Sequence, residues 1–305
     1  MAGRGRPQAA LRILICFVRD RTEADGGQQV QQMRNAVRPV EIVRVGRESA
    51  AATDVAAAEE PLEIRLDGQA FVVTMRTPGA DADLAAGFLL SEQLVRAADD
   101  IADIRPCTLS DNILYVTLTG DAAVRAAEAI KSRRHVTATS ACGVCGRRSI
   151  DDLMNDGRTV DSTMVVDRHV IERLPGTLRA AQQAFDQTGG LHAAGLFDAE
   201  GALIRIAEDV GRHNAVDKVL GAELRSGRLP LSDRILFVSG RTSFEIIQKA
   251  VMAGVAVVAA VSAPSSLAID LAREANVTLL GFVRGSAFNI YSAPERVVLE
   301  TVDRG

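Results

Sequence analysis

Three apolar runs alternate with two helical patterns in residues 235–283, which read ILFVSGRTSFEIIQKAVMAGVAVVAAVSAPSSLAIDLAREANVTLLGFV. The runs at 235–238, 255–261 and 277–283 have the length and composition of buried strands. Helical apolar spacing fills the two intervals, at 244–252 and 267–274. Strands that alternate with helices are typical of a largely parallel sheet covered by helices. The sequence therefore predicts an α/β fold.

The residues before this unit predict further elements of the same fold: a helix at 175–187, a hairpin at 192–197 and 202–206, and a helix at 212–224. Gly189-Gly190 follows the first of these helices and is a stop signal. Thr242-Ser243-Phe244-Glu245 fits a capping box, with the glutamate three residues after the threonine. The box predicts that a helix begins at this point.

The first half of the chain predicts a smaller, β-rich unit. Its elements are a strand at 40–45, a surface connection at 50–60, a hairpin at 64–66 and 71–75, a helix at 83–95, a strand at 112–118 and a helix at 122–131. Asp67-Gly68 marks the hairpin turn, because glycine accepts the positive φ that the turn needs. We therefore divide the chain into a disordered or misassigned extension at 1–38, an α+β subdomain at 39–135 and a core at 136–305.

Composition narrows the classes of function. The chain has 305 residues, a formal net charge of −4, no tryptophan and 4% aromatic residues, so neither charge nor base stacking favours nucleic-acid binding. No run reaches the roughly 20 apolar residues of a spanning helix, so we expect no membrane association. Four cysteines in so long a chain do not form a disulfide framework and are typical of a reducing cytoplasm.

Two cysteines lie three residues apart, in Thr139-Ser140-Ala141-Cys142-Gly143-Val144-Cys145-Gly146-Arg147-Arg148. They could hold zinc, but zinc needs two further ligands and no second pair repeats this spacing. They could carry out thiol redox chemistry or sulfur transfer, because the glycines leave the sulfurs accessible and the arginines favour thiolate. They could also be two buried cysteines without chemistry. The spacing alone leaves these three interpretations open.

The turns after the three predicted strands resemble one another. They read Ser239-Gly240-Arg241-Thr242-Ser243, Ser262-Ala263-Pro264-Ser265-Ser266 and Phe282-Val283-Arg284-Gly285-Ser286. Ligands of open α/β sheets bind beyond the carboxyl ends of the strands, where helix N-termini and arginines can hold phosphate. The turns therefore predict a site for a phosphorylated, nucleotide-like ligand that includes Arg241 and Ser262. The alternative is that small and hydroxyl residues are simply common in turns.

A fourth turn, Glu208-Asp209-Val210-Gly211-Arg212-His213-Asn214, also precedes a predicted helix. We include His213 in the ligand site, although a histidine at a helix start often serves only as a hydrogen-bonding group. Glu208 and Asp209 can likewise satisfy the start of that helix. No Walker motif and no Gly-x-Gly-x-x-Gly motif is present, so neither ATP hydrolysis nor ordinary dinucleotide binding is indicated.

Taken together, the motifs resemble the formate dehydrogenase accessory sulfurtransferase family (FdhD/NarQ). They are Ser140-Ala141-Cys142-Gly143-Val144-Cys145-Gly146, Gly189-Gly190-Leu191-His192-Ala193-Ala194, Glu208-Asp209-Val210-Gly211-Arg212-His213-Asn214-Ala215-Val216-Asp217-Lys218 and Ser239-Gly240-Arg241-Thr242-Ser243. The resemblance runs in consistent order from about residue 40 to the end of the chain. The N-terminal extension has no counterpart in the family pattern.

The resemblance implies a cytoplasmic homodimer with a cytidine-deaminase-like core, an α/β/α sandwich built on a mixed sheet, and a smaller N-terminal β-rich subdomain. It implies that the protein takes sulfur from a cysteine desulfurase. The sulfur then passes to the molybdenum cofactor, bis-molybdopterin guanine dinucleotide, before this cofactor enters formate dehydrogenase. No tightly bound metal of the protein's own is expected.

The resemblance also implies roles for individual residues. The persulfide-carrying cysteine falls on Cys142, with Cys145 as its partner. The cofactor-binding segment falls on Phe282, Val283, Arg284, Gly285, Ser286 and Ala287, the strand end already singled out above. Two alternatives remain: a cofactor-binding chaperone that transfers no sulfur, and a zinc-binding protein.

Overall fold

The computed structural model describes residues 36–47, 49–133 and 157–299. The strands are β1 Val37–Val45, β2 Ser49–Ala57, β3 Glu60–Leu66, β4 Gln69–Arg76, β5 Ile101–Cys107, β6 Ser110–Leu118, β7 Val166–Asp167, β8 His192–Phe197, β9 Leu203–Asp209, β10 Ile235–Val238, β11 Val257–Ala260, β12 Thr278–Arg284, β13 Ala287–Ser292 and β14 Val297–Val298. The helices are α1 Asp81–Ser91, α2 Gly120–Arg133, α3 Arg168–Ala181, α4 Gln183–Thr188, α5 Arg212–Arg225, α6 Phe244–Ala253 and α7 Ser266–Glu274.

The largest sheet of the described residues has six strands in the order β13-β12-β11-β10-β8-β9. Its centre, β10-β11-β12, is parallel, and the remaining pairs are antiparallel. The sheet is therefore mixed, in agreement with the predicted α/β class. Helices α3, α5 and α7 contact strands of this sheet, α6 packs against α5 and α7, and α4 packs against β1 and β2. The closer assignment to a cytidine-deaminase-like sandwich stays a prediction.

The smaller sheet has four strands in the order β4-β3-β6-β5. Its β3–β4 hairpin turns at Asp67 and Gly68, whose φ angles are 46° and 81°, so the predicted turn is confirmed. Buried residues of this sheet, such as Leu62 and Leu114, belong to the same hydrophobic cluster as Phe237 in the large sheet. The predicted domain boundary near residue 135 lies outside the described residues.

Helix α1 joins the two units by crossing α5 at very short range. A β-carbon on Gly87 of α1 would lie 2.0 Å from the carbonyl oxygen of Asp217 in α5. A β-carbon on Gly221 of α5 would lie 1.9 Å from the carbonyl oxygen of Asp83 in α1. The two helix backbones can come this close because neither glycine carries a side chain.

One prediction for the first half of the chain is wrong. Residues 50–60 do not form a surface connection: most of them belong to β2, which pairs antiparallel with β1 from Val37↔Ala57 to Val45↔Ser49. An alanine-rich segment carries little intrinsic strand signal, and the pairing with β1 supplies the missing information. Strand β1 begins at Val37, at the end of the predicted extension 1–38, of which residues 1–35 lie outside the described residues.

In the second half, one predicted helix changes its bounds and one predicted cap is not formed, although α6 begins at Phe244 as expected. The helix expected at 175–187 is two helices, and α3 begins seven residues earlier, where the Asp167 carboxylate accepts a hydrogen bond from the amide of His169 at 2.7 Å. Gly189 ends α4 with a φ of 65°, as predicted. The capping box is not formed: the residue before α6 is Ser243, and its hydroxyl donates to the Glu245 side chain instead of accepting from the helix backbone.

Candidate functional site

The topology brings all four singled-out turns to one edge of the large sheet. Strands β9, β10, β11 and β12 run in the same direction, because β9 and β10 are each antiparallel to β8 and β10–β12 are parallel. Their carboxyl ends therefore lie at the same edge, which we call the carboxyl edge. The N-termini of α5, α6 and α7 lie there as well, because each of these helices follows one of those strands.

Direct contacts hold the neighbouring turns together. Thr242 forms a bridge with Pro264, and the Ser265 amide donates to the Thr242 carbonyl at 2.9 Å. The Phe282 amide donates to the carbonyl of Ser262 at 3.2 Å. The turns after β10, β11 and β12 thus form one continuous surface, as the sequence predicted.

The segment 282–287 is the tip of the β12–β13 hairpin. Phe282 and Gly285 have φ angles of 54° and 56°, and Phe282 is 39% exposed. The Arg284 guanidinium lies 5.8 Å from the centre of the Phe282 ring, and its Nε donates to the carbonyl of Val261 at 3.1 Å. Val283 is fully buried in the core, whereas Ser286 and Ala287 are exposed. An aromatic face and a cation are therefore presented together at the edge.

Two residues that we did not assign to the site lie beside the turn after β10. A β-carbon on Gly240 would be 3.3 Å from Nδ1 of His192 and 3.6 Å from Cδ of Arg212. The Nε atom of Arg212 is shielded from solvent and has no hydrogen-bond partner among the described residues. Both residues stand in the motifs quoted above, which were a signal for them. Arg241 itself is exposed.

His213 connects the starts of two helices at this edge. Its Nε2 lies 3.0 Å from the Ser243 hydroxyl and 3.2 Å from the Glu245 carboxylate, and Ser243 also donates to Glu245 at 2.7 Å. The hydrogen bond from His213, with a smaller one from Ser243, outweighs the opposing effect of burial and lowers the pKa of Glu245 to about 2. His213 thus has a positioning role, and a ligand contact for it stays a prediction.

The two acids of the fourth turn are used by the protein itself. Asp209 accepts hydrogen bonds from the Gly211 amide at 2.8 Å and the Asn214 side chain at 3.0 Å, so it stabilises the start of α5 as expected. Glu208 stabilises the start of α4, and not the start of α5 as expected. Its carboxylate accepts from the amides of Ala184 and Phe185 at 2.9 and 2.8 Å, at the start of α4.

A cavity of about 730 Å³ lies between the large sheet and helices α3 and α4. It reaches the carboxyl edge, because Ser239 directly after β10 and Val261 directly after β11 line it together with His192. Burial lowers the pKa of His192, and the neighbouring Arg212 and His213 side chains lower it further, against a smaller opposing effect of Asp209. The imidazole is therefore neutral at pH 7.

The model of the FdhD/NarQ family matches residues 57–298 of this sequence. The chain belongs to the FdhD/NarQ family. Among its relatives, the protein named sulfur carrier protein FdhD from Nocardia farcinica is 50% identical over 255 residues, which cover 80% of this chain and 88% of that protein. The protein of the same name from Streptomyces avermitilis is 50% identical over 271 residues, which cover 85% of this chain and 94% of that protein.

A solved structure shares the overall α/β fold of this FdhD/NarQ protein. The crystal structure of a protein described as a formate dehydrogenase accessory protein, from Desulfotalea psychrophila, superimposes with a TM-score of 0.67. It covers 86% of this chain and 98% of its own, at 23% sequence identity. At that sequence identity, the structural similarity supports a shared fold and nothing further.

The predicted catalytic residues of this FdhD/NarQ protein, Cys142 and Cys145, lie outside the described residues. Within the ranges that the structure does describe, no group of three or more His, Cys, Asp or Glu side chains could hold a metal ion. No helix in those ranges is both long and apolar enough to span a bilayer.

Proposed function

We propose that this FdhD/NarQ protein is a sulfur carrier in the maturation of formate dehydrogenase. The observation that carries the proposal is the 50% identity to proteins named sulfur carrier protein FdhD over four fifths or more of the chain. The pair Cys142 and Cys145, flanked by glycines and arginines, supplies the nucleophile that such a role needs.

The first step is a transfer of the outer sulfur of a persulfide. The thiolate of Cys142 attacks the terminal sulfur of a persulfide on a cysteine desulfurase. A new S–S bond forms at Cys142, the desulfurase S–S bond breaks, and the desulfurase cysteine leaves as a thiolate. The step moves sulfur without net oxidation or reduction of the pair.

The second step releases the sulfur to the acceptor. The Cys145 thiol attacks the inner sulfur of the Cys142 persulfide, so that a Cys142–Cys145 disulfide forms and the terminal sulfur departs as sulfide. The sulfide passes to the molybdenum of bis-molybdopterin guanine dinucleotide, the cofactor that is the substrate here. A cellular dithiol reductant then returns the disulfide to two thiols.

The carboxyl edge is suited to hold the guanine nucleotide ends of that substrate. Arg241 is exposed there, and Arg284 sits beside the ring of Phe282, so cations for phosphate and an aromatic face for a base are adjacent. The proposal includes Ser262, His213 and the segment 282–287 as contacts. A homodimeric, cytoplasmic protein belongs to the same proposal.

The test is sulfur loading measured by intact-protein mass spectrometry after incubation with a cysteine desulfurase and free cysteine. We expect the wild type to gain the mass of one sulfur atom, and Cys142→Ala to gain none. Cys107→Ala is the matched control, because Cys107 is buried at the end of β5 and should not influence loading. Equal loading of Cys142→Ala and the wild type would contradict the persulfide role.

A cofactor-binding chaperone is the second candidate, and the arginine-bearing carboxyl edge is the observation that favours it. A chaperone would gain no sulfur mass in any variant, yet would still support formate dehydrogenase activity when Cys142 is replaced by alanine. Loss of formate dehydrogenase activity together with loss of sulfur loading would exclude this candidate.

A further inference from the structure

The small sheet turns an apolar corner toward solvent. Residues on its inner side, such as Leu62 of β3, are fully buried in the core. On the opposite side, Val73 and Met75 of β4 are 50% and 44% exposed, and Pro61 of β3 pairs with Met75. A sheet with one side on the core usually presents polar side chains to water on the other. We call this apolar side of β3 and β4 the outer face, and such a patch is typical of a contact surface.

The charges of the outer face are already paired. Glu63 and Arg65 of β3 form an ion pair at 2.8 Å, and the Arg65 guanidinium lies 5.7 Å from the centre of the Tyr115 ring on β6. Strand β4 has no charged residue before Arg76, which is buried. The outer face therefore does not favour a strongly acidic or basic partner and suits an apolar, uncharged one.

The outer half of the β1–β2 ribbon is a second exposed apolar surface. The two strands pair over nine residues each, and helix α4 packs against them. Near the base of the ribbon, a β-carbon on Gly190 would lie 3.6 Å from Cβ of Ala57. Toward the tip, Val43 and Val45 are 67% and 76% exposed. An isolated two-stranded sheet is only marginally stable in water, so we expect another surface to cover the outer half.

The ribbon and the outer face match in charge and in size. Val43 and Val45 lie opposite Ala51 and Ser49, so this side of the outer half carries no charge. The ribbon consists of two strands of nine residues, and the outer face of two strands of seven and eight residues. Both therefore measure about 25–30 Å by 10 Å. The ribbon can cover the outer face without extending over β5 or β6.

The area of the ribbon favours a second copy of this chain as the partner. One side of the ribbon corresponds to about 300 Å². A single ribbon on a single foreign surface would bury about 600 Å² in total, which is less than specific interfaces need. Two copies that each place a ribbon on the other bury about 1,200 Å², which reaches the range of stable interfaces. A two-fold axis makes such an exchange reciprocal, because both copies contribute the same two surfaces.

We propose that this chain forms a homodimer in which each β1–β2 ribbon lies on the outer face of the other copy. The inference rests on the proposed function, which includes a homodimer, and it assigns the surfaces that form it. The interface also adjoins the carboxyl edge, because Asn214 at the start of α5 donates to the carbonyl of Met75 at 2.7 Å.

The test measures the mass in solution by analytical ultracentrifugation for the wild type, Val43→Asp, Val73→Asp and the control Val124→Asp. Val124 is also exposed, but it lies on α2, outside both surfaces. We expect the wild type and the control to be dimers. Val43→Asp and Val73→Asp each bury an unpaired carboxylate in the interface, and each should weaken the dimer about 10-fold or more.

Mixing distinguishes a reciprocal exchange from the contact of a surface with itself. A dimer of one Val43→Asp chain and one Val73→Asp chain has both substitutions in one ribbon–sheet contact and leaves the other contact intact. An equimolar mixture should therefore dimerise more tightly than either variant alone. The inference is overturned by a mixture that gains nothing, by a Val73→Asp protein that dimerises like the wild type, or by a wild type that stays monomeric.

A second measurement covers the case in which a variant does not fold. Amide hydrogen exchange of the wild type is compared between the dimer and protein diluted until it dissociates. Peptides from β1, β2 and β4 should exchange faster after dilution, whereas peptides from α2 should not change. Equal exchange of β1 and β4 before and after dilution would contradict the assigned interface.

Other occupants of these surfaces give different results. If the chain's own residues cover the outer face, Val73→Asp lowers the melting temperature and leaves the mass of the dimer unchanged. If a cysteine desulfurase covers it, Val73→Asp stays dimeric and loses sulfur loading. Either result overturns the inference.

The failure of this inference can be told apart from the failure of the proposed function. Sulfur loading of the wild type at Cys142 is read by mass spectrometry and does not depend on the assigned interface. A wild type that loads sulfur but does not dimerise through these surfaces refutes this inference alone. A wild type that loads no sulfur refutes the proposed function.

Discussion

At the scale of single residues, the carboxyl edge leaves its cations available while its acids are occupied. Glu208 is bound to backbone amides, and Glu245 is bound to His213 and Ser243. Arg241, in contrast, is exposed. Hydrogen bonds within the protein compensate these carboxylates, whereas the arginine remains open to solvent. Such a surface attracts anionic ligands, as a phosphate site requires.

The contacts of Glu245 with His213 and Ser243 predict a contribution to the free energy of unfolding that depends on pH. The pKa of Glu245 is about 2 in the folded protein, against an ordinary value of 4.5. Its contribution is therefore fully present above about pH 4.5 and is lost as the pH falls toward 2. We expect Glu245→Gln to lower the free energy of unfolding by about 1–3 kcal/mol at pH 7.

Urea unfolding of Glu245→Gln and the wild type at pH 7 and at acid pH checks this expectation. The difference in free energy of unfolding should shrink as the pH is lowered from 4.5 toward 2. Glu274→Gln is the control, since Glu274 is exposed in α7 and should cost little at either pH. A difference that stays constant with pH would show that the lost contribution of Glu245 is not its charge.

At the scale of elements, the position of α5 depends on how closely α1 approaches it. The helix carries His213 at its start and glycine at position 221, where the backbone of α1 fills the space of a side chain. Because α5 also packs on β8 and β9, a displaced α5 would move the carboxyl edge. The crossing therefore contributes to the geometry of the site from a distance.

Alanine at either glycine of the crossing should be severely destabilising. Gly87→Ala and Gly221→Ala would each place a β-carbon about 2 Å from a carbonyl oxygen, and we expect each to cost about 3 kcal/mol or more. Gly176→Ala in α3 is the control, because nothing lies within 4 Å of its β-carbon and alanine favours a helix by roughly 0.5–1 kcal/mol. Thermal unfolding measures all three, and a tolerated Gly221→Ala would contradict the close crossing.

At the scale of the whole molecule, a buried ion pair connects the two sheets. Lys218 of α5 lies 2.8 Å from the Asp209 carboxylate and donates to the carbonyl of Thr77, just after β4, at 2.8 Å. The Thr77 amide donates to the same carboxylate at 3.1 Å. Both charged side chains are almost fully buried, so the junction of the small sheet and the core depends on their mutual neutralisation.

Removing one partner of that pair should cost far more than removing both. We expect Lys218→Met to lower the free energy of unfolding by about 3–5 kcal/mol, because it leaves the Asp209 charge buried without its cation. The double variant Asp209→Asn, Lys218→Met should recover part of the loss, since asparagine still accepts hydrogen bonds without a charge.

The surface pair Arg105 and Asp103 provides the comparison. Nη1 of Arg105 lies 3.7 Å from Oδ2 of Asp103, and both side chains are about half exposed. Asp103→Asn should change the free energy of unfolding by less than about 1 kcal/mol. Denaturant unfolding of the wild type, Lys218→Met, the double variant and Asp103→Asn measures these differences in the free energy of unfolding. If Lys218→Met costs no more than Asp103→Asn, the pair does not hold the two sheets together.

The sequence alone determined the parts of this protein that local patterns encode. The alternation of strands and helices in 235–283, the Asp67-Gly68 turn and the stop at Gly189 were each predictable, since hydrophobic period and positive φ are properties of neighbouring residues. The shared direction of β10, β11 and β12, and hence one edge for the three turns after them, followed from that alternation. The quoted motifs were enough to indicate the family.

Only the tertiary structure decided which distant groups meet. Strand β2 exists because β1 pairs with it, and Glu208 serves α4 because that helix folds back over the end of β9. The sequence did not predict the cavity, because its walls come from α3, α4 and the sheet. A local pattern records what a segment prefers by itself, whereas burial and pairing depend on chain segments that only packing brings together.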